Sequence, residues 1–180
     1  MKLSTRDANA FFRKPDPARA GILIYGADPM RVALKRQELL KNLLGAKAEE
    51  EMRLTRLPGS ELTKDKAALV DAVRATGMFP GPRAVLVEDA TNTQADVIGT
   101  ALKDWQPGDA MIVVTAGALK PAGLRKLFEG AGNAAAAAIY DNPPTRDEIE
   151  ETWKASGLAE PTREAMGMLL DLGNVLDPGD

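Results

Sequence analysis

The sequence predicts an α/β fold, a mostly parallel five-stranded sheet covered by helices on both faces. The runs Gly21-Ile22-Leu23-Ile24-Tyr25, Arg83-Ala84-Val85-Leu86-Val87 and Ala110-Met111-Ile112-Val113-Val114-Thr115 are apolar at every position or nearly so, as strands buried on both faces require. Between such runs lie segments whose apolar residues recur at helical spacing. Glycine and proline mark the joins, and strands that alternate with helices in this way are built into parallel sheets with right-handed crossovers.

In chain order, Ala8, Ala10, Phe11 and Phe12 suit a short N-terminal helix that stops at Pro15 and Pro17 and packs on the main body. The first strand, 21–25, leads through Gly26-Ala27-Asp28-Pro29 into a helix carrying Met30, Ala33, Leu34, Leu40, Leu43 and Leu44. Asp28 is a good N-cap, Pro29 a good first helical residue and Gly45 a good stop. Met52 to Leu57 alternates apolar with polar residues, as a strand near a sheet edge does. Pro58-Gly59-Ser60 turns the chain into one helix bearing Leu62, Ala67, Leu69, Val70 and Val73 and ending at Gly77. The third strand, 83–87, finishes on Glu88-Asp89, an acidic pair suited to capping the next helix. That helix carries Val97, Ile98, Ala101, Leu102 and Trp105, and strand 110–115 follows it. Pro121, Leu124, Leu127 and Phe128 form a short helix, on which Lys120, Arg125 and Lys126 read as a solvated basic face. Ala134 to Tyr140 is a fifth strand despite its alanines, because a long helix does not fit between Gly132 and Pro143.

Asp141-Asn142-Pro143-Pro144 is the clearest linker. It divides an α/β domain, residues 1–141, from residues 142–180, where Ile149, Trp153 and Leu158 and then Ala165, Met166, Leu169 and Leu170 mark two helices. Two helices cannot bury a core alone, so 142–180 is expected to be the start of a small helical domain that the chain cuts short.

Composition narrows the chemistry. A chain of 180 residues, 44% hydrophobic and 27% charged, can hold one sizeable core or a medium domain plus a small one. No apolar run approaches the ~20 residues that cross a bilayer, and the first residues lack a signal-peptide core, so a cytoplasmic location and no membrane contact are expected. There is no Cys and no His. That removes disulfides, Ser-His and Cys-His nucleophile pairs and zinc sites of thiolate or imidazole. The net charge of -3 argues against a surface that wraps nucleic acid unaided.

Two stretches stand out as candidate sites. The loop after the first strand is where a phosphate cradle would sit, but if Gly26 opened G-x-x-x-x-G-K-[ST], the required Gly, Lys and hydroxyl would fall on Arg31, Val32 and Ala33. Pro29 lacks an N–H to offer, and Asp28 sets a negative charge where an anion would dock. The second stretch is Thr76-Gly77-Met78-Phe79-Pro80-Gly81-Pro82, two large apolar residues amid turn residues just before a buried strand. Met78 could fold back onto Val73 past the helix-ending Gly77. Phe79, held extended by Pro80, cannot easily do the same, and an exposed Phe beside a Met has the composition of a partner-binding hot spot.

Taken together, L-I-Y-G-A-D-P after the first strand, P-G-S-E-L at 58–62, G-M-F-P-G-P-R-A-V-L-V-E-D, L-R-K-L-F-E at 124–129 and G-L-A-E-P-T-R-E-A-M-G-M-L-L from Gly157 give a chain that resembles the delta subunit of the bacterial DNA polymerase III clamp loader. The likeness covers that family's first domain and the start of its second; no single piece is a strong motif, but order and spacing agree. It implies a P-loop NTPase/AAA+ type sheet whose nucleotide site is degenerate at Gly26, Asp28 and Pro29, followed by a helical lid domain. It further implies a non-catalytic subunit with no cofactor, no metal and no ATPase activity, which binds the ring-shaped sliding clamp (the beta subunit) and opens it for loading onto DNA. The family inserts an apolar pair before the third strand into a pocket on the clamp. That pair falls on Met78 and Phe79, flanked by Thr76, Gly77 and Pro80; the family commonly has Leu where Met78 stands. Other clamp-loader subunits would be partners of the longer protein, and DNA would be approached only within the assembly. The family's third, ring-forming helical domain is missing from this sequence.

Two readings from other classes stay open on the residues alone. A phosphoacceptor receiver domain also has five parallel strands, and Asp28, Asp89, Thr115 and Lys120 loosely imitate its site. A nucleotide-binding α/β enzyme is the other, with Glu88-Asp89 where phosphate-hydrolysing folds hold Mg²⁺.

Overall fold

The computed structural model describes residues 1–75 and 81–140. The chain divides after Tyr140 into two units. The linker, the helices expected beyond it, and Thr76 to Pro80 lie outside the described residues.

Five strands form one all-parallel sheet: β1 (Gly21–Tyr25), β2 (Leu54–Pro58), β3 (Ala84–Glu88), β4 (Met111–Ala116) and β5 (Ala134–Ala138), in the spatial order β2-β3-β4-β1-β5. The helices are α1 (Thr5–Arg13), α2 (Pro29–Leu44), α3 (Gly59–Lys64), α4 (Ala68–Arg74), α5 (Ala95–Asp104) and α6 (Leu124–Gly130). From β1 the chain travels one way to β2, then returns through β3 and β4 and passes β1 to reach β5. Crossovers of a single hand then put α2 on one face and the later helices on the other. Side chains sort accordingly. Ile22, Ile24, Leu86, Met111, Val113, Ala135 and Ala137 pack with Ala8 and Phe12 of α1 and Val32, Leu39 and Leu43 of α2. Leu23, Tyr25, Val85, Val87, Ile112 and Val114 pack with Leu62, Leu69, Val73, Ile98, Leu102, Leu124 and Phe128 on the opposite face. Both faces being covered is why these strands read as continuous apolar runs.

The edges are handled differently. β2 pairs only with β3, and its exposed Arg56 and terminal Pro58 discourage pairing with another chain. The outer edge of β5 is taken by Met1 to Leu3: the Leu3 N–H donates to Ala136 O at 2.9 Å and the Ala136 N–H to Met1 O at 2.8 Å. Five alanines would favour a helix, but here ladder bonds on both sides override propensity, and the small side chains let α1 and α6 approach the sheet.

Four local expectations are corrected. The helix expected through Leu62–Val73 is two, because the Asp65 carboxylate accepts from the Ala67 N–H at 3.0 Å and turns the chain between α3 and α4. The second strand starts at Leu54; Met52 sits in a turn with φ 55° and 82% exposure, and Arg53, which alternation placed on an open face, is buried. Glu88-Asp89 does not cap the next helix: Thr91 does, its hydroxyl accepting from the Thr93 N–H while Gln94 returns a bond to the Thr91 N–H. The fifth strand ends at Ala138 rather than Tyr140.

Candidate partner-binding site

In an open α/β sheet the usual ligand crevice lies at the carboxyl ends of the strands, where the strand order reverses. Here that is the junction of β1 and β4, flanked by Gly26 to Asp28. The connection from β1 to α2 is only those three residues. Asp28 Oδ1 accepts from the N–H groups of Met30 at 2.9 Å and Arg31 at 3.4 Å, and its other oxygen lies 3.6 Å from Arg31 Nε. Pro29 at the first helical position has no N–H. The positive end of α2 therefore faces a carboxylate of its own chain. Gly26 is needed for another reason: a Cβ there would lie 2.5 Å from the Ile139 carbonyl oxygen, so its bareness serves the close passage of the segment after β5.

Glu88, at the end of β3, is held by Arg56 at 3.3 Å and Arg36 at 3.9 Å, and Arg56 also reaches Glu49 at 2.9 Å. Asp89 adopts φ 53° at the exposed start of the following loop. Among the described residues no group of three carboxylates is placed to hold a metal ion. Thr115 is buried and donates weakly to Val87 O at 3.5 Å. The observed strand order also decides against the receiver reading. A receiver has the order 2-1-3-4-5, with its first and third strands adjacent. In this sheet β4 lies between β1 and β3, which separates Asp28 from Asp89 by two strand spacings, roughly 10 Å.

The basic cluster divides as well. Arg125 pairs with Glu129 at 2.8 Å and its guanidinium stands 5.5 Å from the centre of the Tyr25 ring. Lys120 and Lys126 are exposed on the bend before α6 and on α6 itself. Arg125 thus serves packing at the end of β1, leaving two dispersed lysines as the open charge.

At the opposite, amino end of the sheet lie the end of α4 and the start of β3, between which the sequence runs through Thr76, Gly77, Met78, Phe79 and Pro80. Those five residues lie outside the described ones, but both of their flanks are described and both are tied to the sheet. On the α4 side the Val73 carbonyl accepts from the Ala110 N–H at 3.1 Å, just before β4, while the Val73 side chain is buried in the core. The Trp105 Nε1–H donates to Ala110 O at 2.9 Å and steadies that junction. On the β3 side the Arg53 guanidinium donates to Pro82 O at 3.2 Å, Arg83 to Gly108 O at 3.1 Å, and the Ala84 N–H to Arg53 O at 2.9 Å. The described residues on either side of this connection are thereby anchored to the sheet. No sequence pattern announced Arg53 or the Val73–Ala110 bond, since both depend on residues distant along the chain.

No protein-family model matches the chain. No curated protein matches it either. Among solved structures, a DNA polymerase III gamma subunit-related protein from Thermotoga maritima is similar over 92% of this chain, with a TM-score of 0.50 and 17% identity. The chain spans 56% of that protein's length. The two have an α/β fold in common, which in this chain is a five-stranded parallel sheet covered on both faces.

Proposed function

We propose that this chain is a clamp-loader subunit of the delta type, which binds the ring-shaped sliding clamp through Met78 and Phe79 and favours its open form. The observation that carries the proposal is the anchoring of the described residues on both sides of the stretch between α4 and β3, which the sequence fills with Thr76, Gly77, Met78, Phe79 and Pro80. The fold shared with a DNA polymerase III gamma subunit-related protein supports it. So does the occupied N-terminus of α2, which suits a subunit that does not use ATP.

The energetics are adequate. Burying two such side chains supplies about 1.5 to 3 kcal/mol each, and a rigid frame lowers the ordering cost of binding. Ring opening follows only if the subunit holds the open or strained clamp interface more tightly than the closed one, because equal affinity for both shifts nothing. The other clamp-loader subunits are proposed as partners of the longer protein, and DNA is met only within the assembly. Binding kinetics on an immobilised sliding clamp test the site: Met78→Ala and Phe79→Ala are each expected to raise the dissociation rate at least tenfold, in keeping with losses of about 2 kcal/mol at hot spots. Unchanged rates for both variants would remove the proposal.

A further inference from the structure

The ammonium of Met1 donates to three backbone carbonyls: Phe128 O at 2.7 Å, Ala134 O at 2.9 Å and Ala131 O at 3.1 Å. Phe128 and Ala131 lie at the end of α6, where a helix leaves its last carbonyls without donors and gathers partial negative charge. Ala134 opens β5. The carbonyls between them are taken from another side, Gly132 O accepting from Arg19 at 3.4 Å and Asn133 O from the Ala20 N–H at 2.8 Å. A partly buried cation costs stability unless its donors are satisfied. Burial and the Arg19 guanidinium hold this amine below its ordinary pKa of 8.0, with Glu129 pulling the other way. From this seat the chain runs along β5, where the Ala136 N–H donates to Met1 O at 2.8 Å and the Leu3 N–H to Ala136 O at 2.9 Å. Leu3 packs on the core shared by α1 and α2, and Ser4 accepts from the Asp7 N–H at 3.1 Å to start α1. Two ladder bonds alone are a weak hold on a chain end, and the amine supplies three more.

We infer that the carbonyls of Phe128, Ala131 and Ala134 form a binding site for a free primary α-amine, and that the covalent state of the Met1 nitrogen decides whether Met1–Leu3 closes the outer edge of β5. An N-acyl group, formyl being the smallest, turns the ammonium into an amide with one N–H and no charge. At least two of the three carbonyls then lose their donor. The acyl carbon and oxygen must also find room where the nitrogen now lies within 3.1 Å of all three. Left open, the edge has an unpaired Ala136 N–H and C=O, the arrangement that invites pairing with another chain. A chain made with an N-acyl group therefore completes its fold only after hydrolytic deacylation. Water gives its oxygen to the acyl carbon, the C–N bond breaks, a carboxylate leaves, and the nitrogen takes both of water's protons to become the ammonium.

The test compares the full chain in four forms: with a free amine, N-formylated by blocking deformylation during expression, N-acetylated, and extended by one glycine ahead of Met1. Mass spectrometry confirms each N-terminus, and amide exchange is followed. Both acylated forms are expected to exchange at Leu3 and Ala136 at least tenfold faster than the free chain, while Val85 to Val87 in β3 are unchanged. The glycine extension keeps the positive charge but moves it one residue away, and it should behave like the acylated forms. Unchanged exchange at Leu3 and Ala136 on acylation overturns the inference. So does acceleration that is as large in β3, or a glycine-extended chain that exchanges like the parent. Should the altered chains fail to fold, the unaltered one still decides the matter. Its α-amine is expected to react with acetic anhydride at least tenfold more slowly when folded than when unfolded in urea, and equal rates would overturn the inference.

Discussion

Phe12 shows how much a single residue contributes to this fold. It is fully buried between α1 and α2, the Lys35 ammonium stands 5.8 Å from its ring centre, and Asn42 donates to its carbonyl at 2.9 Å. Phe12→Ala is expected to lower unfolding free energy by about 3 to 5 kcal/mol, a loss readable by urea denaturation; a change under 1 kcal/mol would mean that α1 is not part of the core. Tyr25 gives a pH-dependent prediction. Burial pushes its phenol above the ordinary value of 10.0, while the Arg125 guanidinium over the ring works in the opposite sense. The folded state then holds this proton more tightly than the unfolded chain, so its stability contribution is complete below pH 10 and is lost as pH rises past it. Absorbance titration should show a late phenolate phase that Tyr25→Phe removes; ionisation at or below 10 would contradict the assignment. Residues of this kind were legible in part. Phe12 was visible from spacing alone, whereas the burial of Arg53 was not, because its partners, Glu51 and Pro82, include one across the sheet edge.

Elements were legible where one local rule governed them. Asp28, Pro29 and Gly45 bounded α2 at the observed residues because cap chemistry acts within a few positions. Strands β1, β3 and β4 were legible because burial on both faces leaves no polar alternation, β2 because its alternation marks a sheet edge, and β5 because no long helix fits between Gly132 and Pro143. The break between α3 and α4 was not, since helical spacing continues across Asp65 and only its bond to the Ala67 N–H ends the first helix. The role of Thr91 was overshadowed by the acidic pair ahead of it. The β1–α2 connection makes an element-scale prediction. With the Met30 and Arg31 N–H groups satisfied by Asp28, millimolar Mg-ATP should leave the melting temperature unchanged. A nucleotide present at one hundred times its Kd would add about 2.7 kcal/mol of stability. For a domain of this size that means a rise of roughly 5 to 10 °C. Such a rise would contradict a degenerate site.

At the scale of the whole molecule, strand order is the property that sequence could not supply. Five strands and their helices are compatible with more than one winding, and the choice rests on which strands meet across the sheet. The order β2-β3-β4-β1-β5 places Asp28 and Asp89 on non-neighbouring strands and so removes the receiver alternative. The same order puts the α4–β3 connection at the amino end, away from the crevice at the β1–β4 junction. In the proposed role a partner would thus be engaged at one end of the sheet while the other end is held by ion pairs and caps. Among the described residues the strands and most helices of the fold were legible from pattern, and their order in the sheet was not. The candidate site was legible only as two apolar residues in an unexpected place, and the anchoring of the residues that flank them became visible once β3, β4 and the start of β2 were seen side by side. The most direct measurement is calorimetric titration of the chain into the sliding clamp of its own organism, beside the Met78→Ala, Phe79→Ala double variant. Saturable binding that the double variant loses while remaining folded is the expected result. A folded, unaltered chain that releases no heat on titration, or a double variant that binds as tightly as the parent, would contradict it.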